Sequence, residues 1–187
     1  LANWWKTIES WRSVNCLDYE HSTTVIKPQY VVEQLYQVTG GNAFVTSDVG
    51  QHQMYAAQYY HFNKPRRWIN SGGLGTMGFG VPAAIGAALA APEQTVICFT
   101  GDGSILMNIQ ELVTACEEQV NLKIILLNNA TLGLVHQQQT LFYGQRLFAS
   151  QFKAMPNFPQ LAMALGISAV DLNQESNPRA ALAAALK

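Results

Sequence analysis

Two mostly apolar runs, residues 95–100 and 122–127, the second broken only by Lys123, constrain this chain more than any other feature. Neither alternates apolar with polar residues, so neither suits a strand with one wet face; each needs cover on both sides. Between them lies a stretch with helical spacing, residues 105–117, in which Ile105, Ile109, Leu112, Val113 and Cys116 would face inward. Strand, helix, strand in this pattern describes a parallel pair joined by a crossover. The expectation is an α/β fold: a parallel β-sheet with helices on both faces. The chain from residue 27 onward fits that scheme. Helices are expected at 28–38, 51–60, 79–91, 159–165 and 177–187, and strands at 43–47 and 167–172. Val31, Val32, Leu35 and Val38 mark the inner face of the first of these helices. Ligands of such folds bind beyond the carboxyl ends of the strands, so the residues just after each strand carry the functional argument.

Residues 1–26 read differently. Trp4, Trp5 and Trp11 stand among polar spacers with no strand pattern. We take 1–26 as a helix and linker from the end of a preceding domain, and 27–187 as one domain. The alternation stops at Lys187, inside an Ala-rich helix with no cap and no following strand, so the domain reads as truncated at its carboxyl end.

Composition limits the function classes. A net charge of -1 leaves no basic stripe for nucleic acid or for an anionic membrane surface. Only 12% of the residues are charged, against about 25% in an ordinary domain, which points to large interfaces. The three cysteines, Cys16, Cys98 and Cys116, form no C-x-x-C pair and suit a reducing, cytoplasmic compartment, with Cys98 and Cys116 in the core. No signal peptide opens the chain, and the longest apolar run, 81–91, is about half the length a bilayer requires.

Three segments carry chemistry. Gly101-Asp102-Gly103-Ser104 follows the run 95–100. An acid between glycines at a strand end lets backbone approach a ligand closely, and the helix after it would turn free N–H groups toward a phosphate. A carboxylate beside a phosphate needs a divalent cation between them, which suggests a magnesium diphosphate. The run 122–127 ends in Asn128-Asn129, and adjacent parallel strands would bring Asp102 and Asn129 to one cation. Gly73-Leu74-Gly75-Thr76-Met77-Gly78 is a literal G-x-G-x-x-G that opens a helix. A nicotinamide-dinucleotide oxidoreductase domain is therefore a competing reading, although the segment before Gly73 is a poor strand.

Gly101-Asp102-Gly103, then 24 residues (104–127), then Asn128-Asn129 resembles the signature of thiamine-diphosphate enzymes. The resemblance implies that Asp102, Asn129 and the main chain of Thr131 bind Mg2+, with Gly101, Gly103 and Ser104 beside the cofactor. Ser71-Gly72-Gly73-Leu74-Gly75-Thr76-Met77-Gly78 and Asp48-Val49-Gly50-Gln51-His52-Gln53-Met54 resemble segments of acetohydroxyacid synthase large subunits, as does the run 127–143. The likeness covers nearly all of 27–187 and is greatest to the isozyme I type. It implies that Met77, near Gly75, supports the bent cofactor. Val49, Gly50, Gln51 and His52 would lie at the diphosphate end, and Gly133 and Leu134 over the cofactor. His21, His61 and His136 have no such context and are expected at the surface or in structural roles.

The family joins pyruvate, with loss of CO2, to a second pyruvate or to 2-oxobutyrate. Many members have Met at the place of Leu134 and Trp at that of Gln138, where the indole shapes the pocket for the second substrate and for sulfonylurea-type herbicides. With Gln138 there, weaker preference for 2-oxobutyrate and weaker herbicide binding are expected. The resemblance further implies FAD in the full-length enzyme, held mostly by a middle domain absent here. It implies a homodimer in which a partner subunit's amino-terminal domain supplies an activating Glu, and it leaves a small regulatory subunit open. A piece holding half a cofactor site would be inactive alone. Another thiamine-diphosphate 2-oxo acid decarboxylase or oxidase is the nearest alternative.

Overall fold

The structure, a computed structural model, describes residues 1–186. Helix α1 (Ala2–Arg12) buries none of its residues, and its Trp4 and Trp11 rings meet edge to face at 5.6 Å. The segment after it does touch the body of the chain. Tyr19 donates to Glu33 at 2.6 Å, and Tyr59 donates to the Leu17 carbonyl at 3.0 Å.

Helix α2 (Pro28–Thr39) opens on a proline, whose missing N–H costs nothing in a first turn, and closes on Gly40 in the left-handed region. Then follow β1 (Phe44–Ser47), α3 (Gln51–Tyr59), β2 (Trp68–Ile69), α4 (Gly80–Ala90) and β3 (Val96–Gly101). After β3 come α5 (Asp102–Ile105), α6 (Glu111–Glu117), β4 (Leu122–Leu127), α7 (Gly133–Phe142), α8 (Phe158–Ala164) and α9 (Pro178–Ala185). Asn157 and Asn177 cap α8 and α9, accepting from the N–H three residues on at 3.1 and 3.0 Å. The helix expected over 177–187 runs onto Lys187, which lies outside the described residues.

The four strands form one parallel sheet in the order β2-β1-β3-β4. Its centre, β3, is buried at every residue, as its unbroken apolar sequence requires. Alternate side chains serve the two faces. Ile97 and Phe99 join Val31, Leu35 and Tyr60 in one core, while Val96 and Cys98 join Ala84, Ile85 and Leu112 in the other. The α/β architecture with covered faces is therefore as expected. No helix among the described residues is long and apolar enough to cross a membrane.

Four local expectations need correction. Residues 167–172 form no strand. Asp171 instead accepts from the Asn173 N–H at 3.0 Å and opens a 3-10 turn, Leu172–Gln174; such a local side-chain bond competes with ladder pairing. The helix expected over 105–117 is two, α5 and α6, separated by turns in which Asn108 donates to the Gly78 carbonyl at 2.8 Å. On α6 the inward residues are Leu112 and Ala115, so Val113 and Cys116 point outward; Cys116 is exposed rather than in the core. Val38, expected on the inner face of α2, is exposed as well. The poor strand before Gly73 is a strand of two residues, β2, at the sheet edge.

Candidate functional site

The sheet order creates one crevice. From β1 the chain passes into α3, whose Ala56 and Tyr59 lie in one core. From β3 it passes into α5 and α6, whose Ile105 and Leu112 lie in the other. Neighbouring parallel strands that send their connections to opposite faces leave an opening beyond their carboxyl ends, the usual ligand position in such sheets. Val49–His52 follows β1, and Gly101–Ser104 spans the end of β3 and the start of α5, so both flank this opening. The Ser104 hydroxyl donates to the Val49 carbonyl at 3.2 Å and ties the two turns together.

Asp102 is 2% exposed. Its Oδ1 accepts from the Gly103 N–H at 2.7 Å and its Oδ2 from the Asn129 N–H at 3.2 Å. The second bond spans the ends of β3 and β4, which are paired in register up to Gly101 and Leu127. On the β4 side, Asn129 Oδ1 accepts from the Thr131 N–H at 3.1 Å and from its hydroxyl at 2.9 Å. The structure thus brings Asp102 against Asn129, as neighbouring strand ends implied, and Asn129 against Thr131.

Helix α5 has only four residues, too few for a sizeable dipole, so the expected attraction of a long helix for phosphate is not available there. A different polar group stands beside the opening. His52 is 7% exposed, and its Nε2 is buried without a hydrogen-bond partner. Burial pushes its pKa from the ordinary 6.5 down to about 4, against the opposing influence of Asp48. The ring sits between Gly50 and Gly101, where a Cβ at either position would approach it to 2.7 Å.

Gln51 links the two halves. Its Oε1 accepts from Asn129 Nδ2 at 3.3 Å, and its Nε2 donates to Gln137 Oε1 at 2.9 Å. Gly133 leaves room for this, since a Cβ there would collide with the Gln51 amide. The sequence reading passed over Gln137, which stands in an undifferentiated run of three glutamines.

The glycine-rich loop lies apart from this network. Residues 72–76 are exposed, Gly75 is left-handed at φ 60, and Met77 is half-buried ahead of α4. The first turn of α4 is already occupied: the buried Asp48 accepts from the Gly80 N–H at 3.0 Å and from the Thr100 hydroxyl at 2.8 Å. A dinucleotide phosphate would need that helix end, so the G-x-G-x-x-G reading loses its physical basis. Leu134 is half-buried in the first turn of α7, and the exposed Gln138 lines an open hollow of about 290 Å³ with Val135, Gln139, Tyr143 and Arg146. Of the histidines without context, His21 and His61 are exposed and His136 is half-buried.

The pattern of the family described as "Thiamine pyrophosphate enzyme, C-terminal TPP binding domain" matches residues 48–187. The chain belongs to the thiamine pyrophosphate enzymes. It is 51% identical to the acetolactate synthase isozyme 3 large subunit of Escherichia coli over 187 residues, all of this chain and 33% of that protein. It is 60% identical to the isozyme 1 large subunit of the same organism over 75% of this chain and 25% of the relative. Acetolactate synthase 1, chloroplastic, of Nicotiana tabacum is 40% identical over 97% of the chain and 28% of the relative. The chain spans about a third of the length of the first of these relatives.

Thiamine pyrophosphate, the diphosphate ester of thiamine, fits the residues present. A buried imidazole nitrogen without a partner suits a phosphate oxygen in the tautomer of the neutral ring that carries its proton on Nε2. No group of three or more His, Cys, Asp and Glu side chains lies together among the described residues. A single carboxylate with amide and carbonyl oxygens is what Mg2+ takes when phosphates supply the remaining charge.

Proposed function

We propose that this chain is the diphosphate- and metal-holding part of an acetohydroxyacid (acetolactate) synthase large subunit. The enzyme removes CO2 from pyruvate and joins the remaining two-carbon unit to a second 2-oxo acid. Pyruvate as acceptor gives 2-acetolactate, and 2-oxobutyrate gives 2-aceto-2-hydroxybutyrate, which lead to branched-chain amino acids. Thiamine diphosphate, when bound, supplies the carbon centre that holds the electrons released with CO2. The protein binds, orients and shields.

Asp102, Asn129 and the Thr131 main chain hold Mg2+. Gln51 and His52, with Val49, Gly50, Gly101, Gly103 and Ser104, hold the diphosphate end. Met77 and Gly75 support the bend of the cofactor, Gly133 and Leu134 cover it, and Gln138 borders the acceptor. On this reading residues 27–187 are the diphosphate domain and 1–26 lead into it. FAD is held mostly by another domain of the cytoplasmic enzyme, the activating Glu comes from the amino-terminal domain of a partner subunit that meets this one in a homodimer, and a small regulatory subunit is compatible with it. The exposed Leu141, Phe142, Tyr143 and Phe148 support a partner surface near α7.

The observation that carries the reading is the bond between Asp102 and the Asn129 backbone at the sheet's crevice. Calorimetric titration with thiamine diphosphate tests it, first on the full-length protein and then on this chain. Binding is expected to require Mg2+ and to weaken at least about a hundredfold in Asp102→Ala, the scale of losing a charged ligand. Mg2+-independent binding in the full-length protein, or an Asp102→Ala variant that binds normally, would sink the assignment.

A further inference from the structure

An amide has two ends of the same shape and opposite polarity, so a ligand such as Asn129 is useful to a cation only if its oxygen end is the one presented. The structure contains a chain of bonds that makes this choice. The Thr131 backbone N–H can only donate, so the Asn129 atom 3.1 Å away is Oδ1. Nδ2 must then face Gln51, 3.3 Å away, and the group receiving it must be Gln51 Oε1. That turns Gln51 Nε2 outward to Gln137, whose facing atom at 2.9 Å must be Oε1. Every amide in the series has its polarity fixed by its neighbour. The series crosses from the β4–α7 turn to α3 and back to α7, over sequence separations of 78 and 86 residues.

We infer that Gln137 is a positioning residue for the metal site: acting through Gln51, it holds the Asn129 NH2 group away from the cation and leaves Oδ1 to bind it. The inference rests on Asn129 being a ligand, as proposed above. When a cation takes Oδ1, the Thr131 hydrogen bonds to that oxygen compete with it. Gln51 is then the contact that keeps the amide from turning its NH2 hydrogens toward a positive charge. Gln51 on its own could exchange its carbonyl and NH2 ends by a half-turn; the hydrogen bond from its Nε2 to the Gln137 carbonyl is one that only the orientation with Oε1 toward Asn129 makes, and it weights Gln51 toward that orientation. Gly133 belongs to the same arrangement, since the collision of any Cβ there with the Gln51 amide would displace the middle member.

The test is the Mg2+ dissociation constant of the full-length protein at saturating thiamine diphosphate, with the melting temperature measured without Mg2+. Gln137→Met removes the acceptor and keeps helix propensity; Mg2+ is expected to bind about tenfold more weakly, the low end for partners that orient a ligand, with the melting temperature unchanged. Gln137→Glu offers only acceptor oxygens to Gln51 and is expected to restore binding to near wild type. Wild-type Mg2+ affinity in Gln137→Met overturns the inference. So does equal weakening in Gln137→Met and Gln137→Glu, which would mean that side-chain packing rather than polarity matters. Asp102→Ala run beside them separates the two failures. Lost Mg2+ dependence there with an unaffected Gln137→Met defeats the relay alone, and intact Mg2+ dependence in Asp102→Ala defeats the ligand reading beneath it.

Discussion

At the end of β3, Asp102 lies in a turn whose residues are all buried from Gly101 to Ile105. At the end of β4, Asn128 and Asn129 are exposed, and every residue of the strand itself is only half-buried. The two ends face the same opening and are held by different means. The β3 end is fixed by close packing of backbone and by His52 against Gly101. The β4 end is fixed by side-chain amides for which water competes. Packing is rigid and intolerant of added volume; exposed hydrogen bonds are weaker and adjustable. The carboxylate half of the site is therefore preformed, and the amide half is adjustable.

The largest expected effect falls on the rigid side and is read by pH. His52 is held neutral in the folded chain down to about pH 4, whereas the unfolded chain takes up the proton near the ordinary 6.5. Stability is then complete above about pH 6.5 and is lost as pH falls toward 4, by about 3 kcal/mol. Urea unfolding of the ligand-free protein between those values measures it. His52→Gln should flatten the slope in that window, and an unchanged slope would assign the loss to other groups.

The next effect contrasts two glycines. Gly101→Ala places a methyl 2.7 Å from the buried ring of His52 and is expected to cost about 2 kcal/mol of unfolding free energy. Gly133→Ala strikes the end of Gln51, a half-buried side chain that can swing aside, and is expected to stay within about 1 kcal/mol. Thermal unfolding of both checks the difference. Equal losses would mean that the β4 end is as rigid as the β3 end.

The same contrast explains what could be read from the sequence. The rigid part was legible: the apolar run of β3 suits a strand covered on both faces, and the mostly apolar run 122–127 marked β4 beside it, so the joining of Asp102 to Asn129 followed from pattern and spacing. The helix between them was legible in length but not in continuity, because the side-chain bond from Asn108 to the Gly78 carbonyl crosses between distant segments. Residues 167–172 carry the apolar content of a strand, and a local bond to Asp171 decided otherwise. Cys116 lies one step from the buried stripe of α6, an offset that appears once the helix is seen to begin at Glu111. The anchoring of α4 by Asp48 and the amide series through Gln137 were illegible, since each depends on tertiary approach.

The smallest expected effect lies on the exposed side, at Gln138. This residue projects from α7 into an open hollow of about 290 Å³. If the acceptor lies there, as proposed, an amide offers little apolar area to the one extra methylene that distinguishes 2-oxobutyrate from pyruvate. Gln138→Trp would add an indole face without entering the packed sheet, so the fold should tolerate it. One methylene against a new apolar wall is worth about 1 kcal/mol, a preference for 2-oxobutyrate raised roughly fivefold. Competition between the two acceptors in the full-length enzyme measures it. If the ratio does not move, the hollow beside α7 is not where the acceptor's alkyl end lies, and the adjustable side of the site would serve the metal alone.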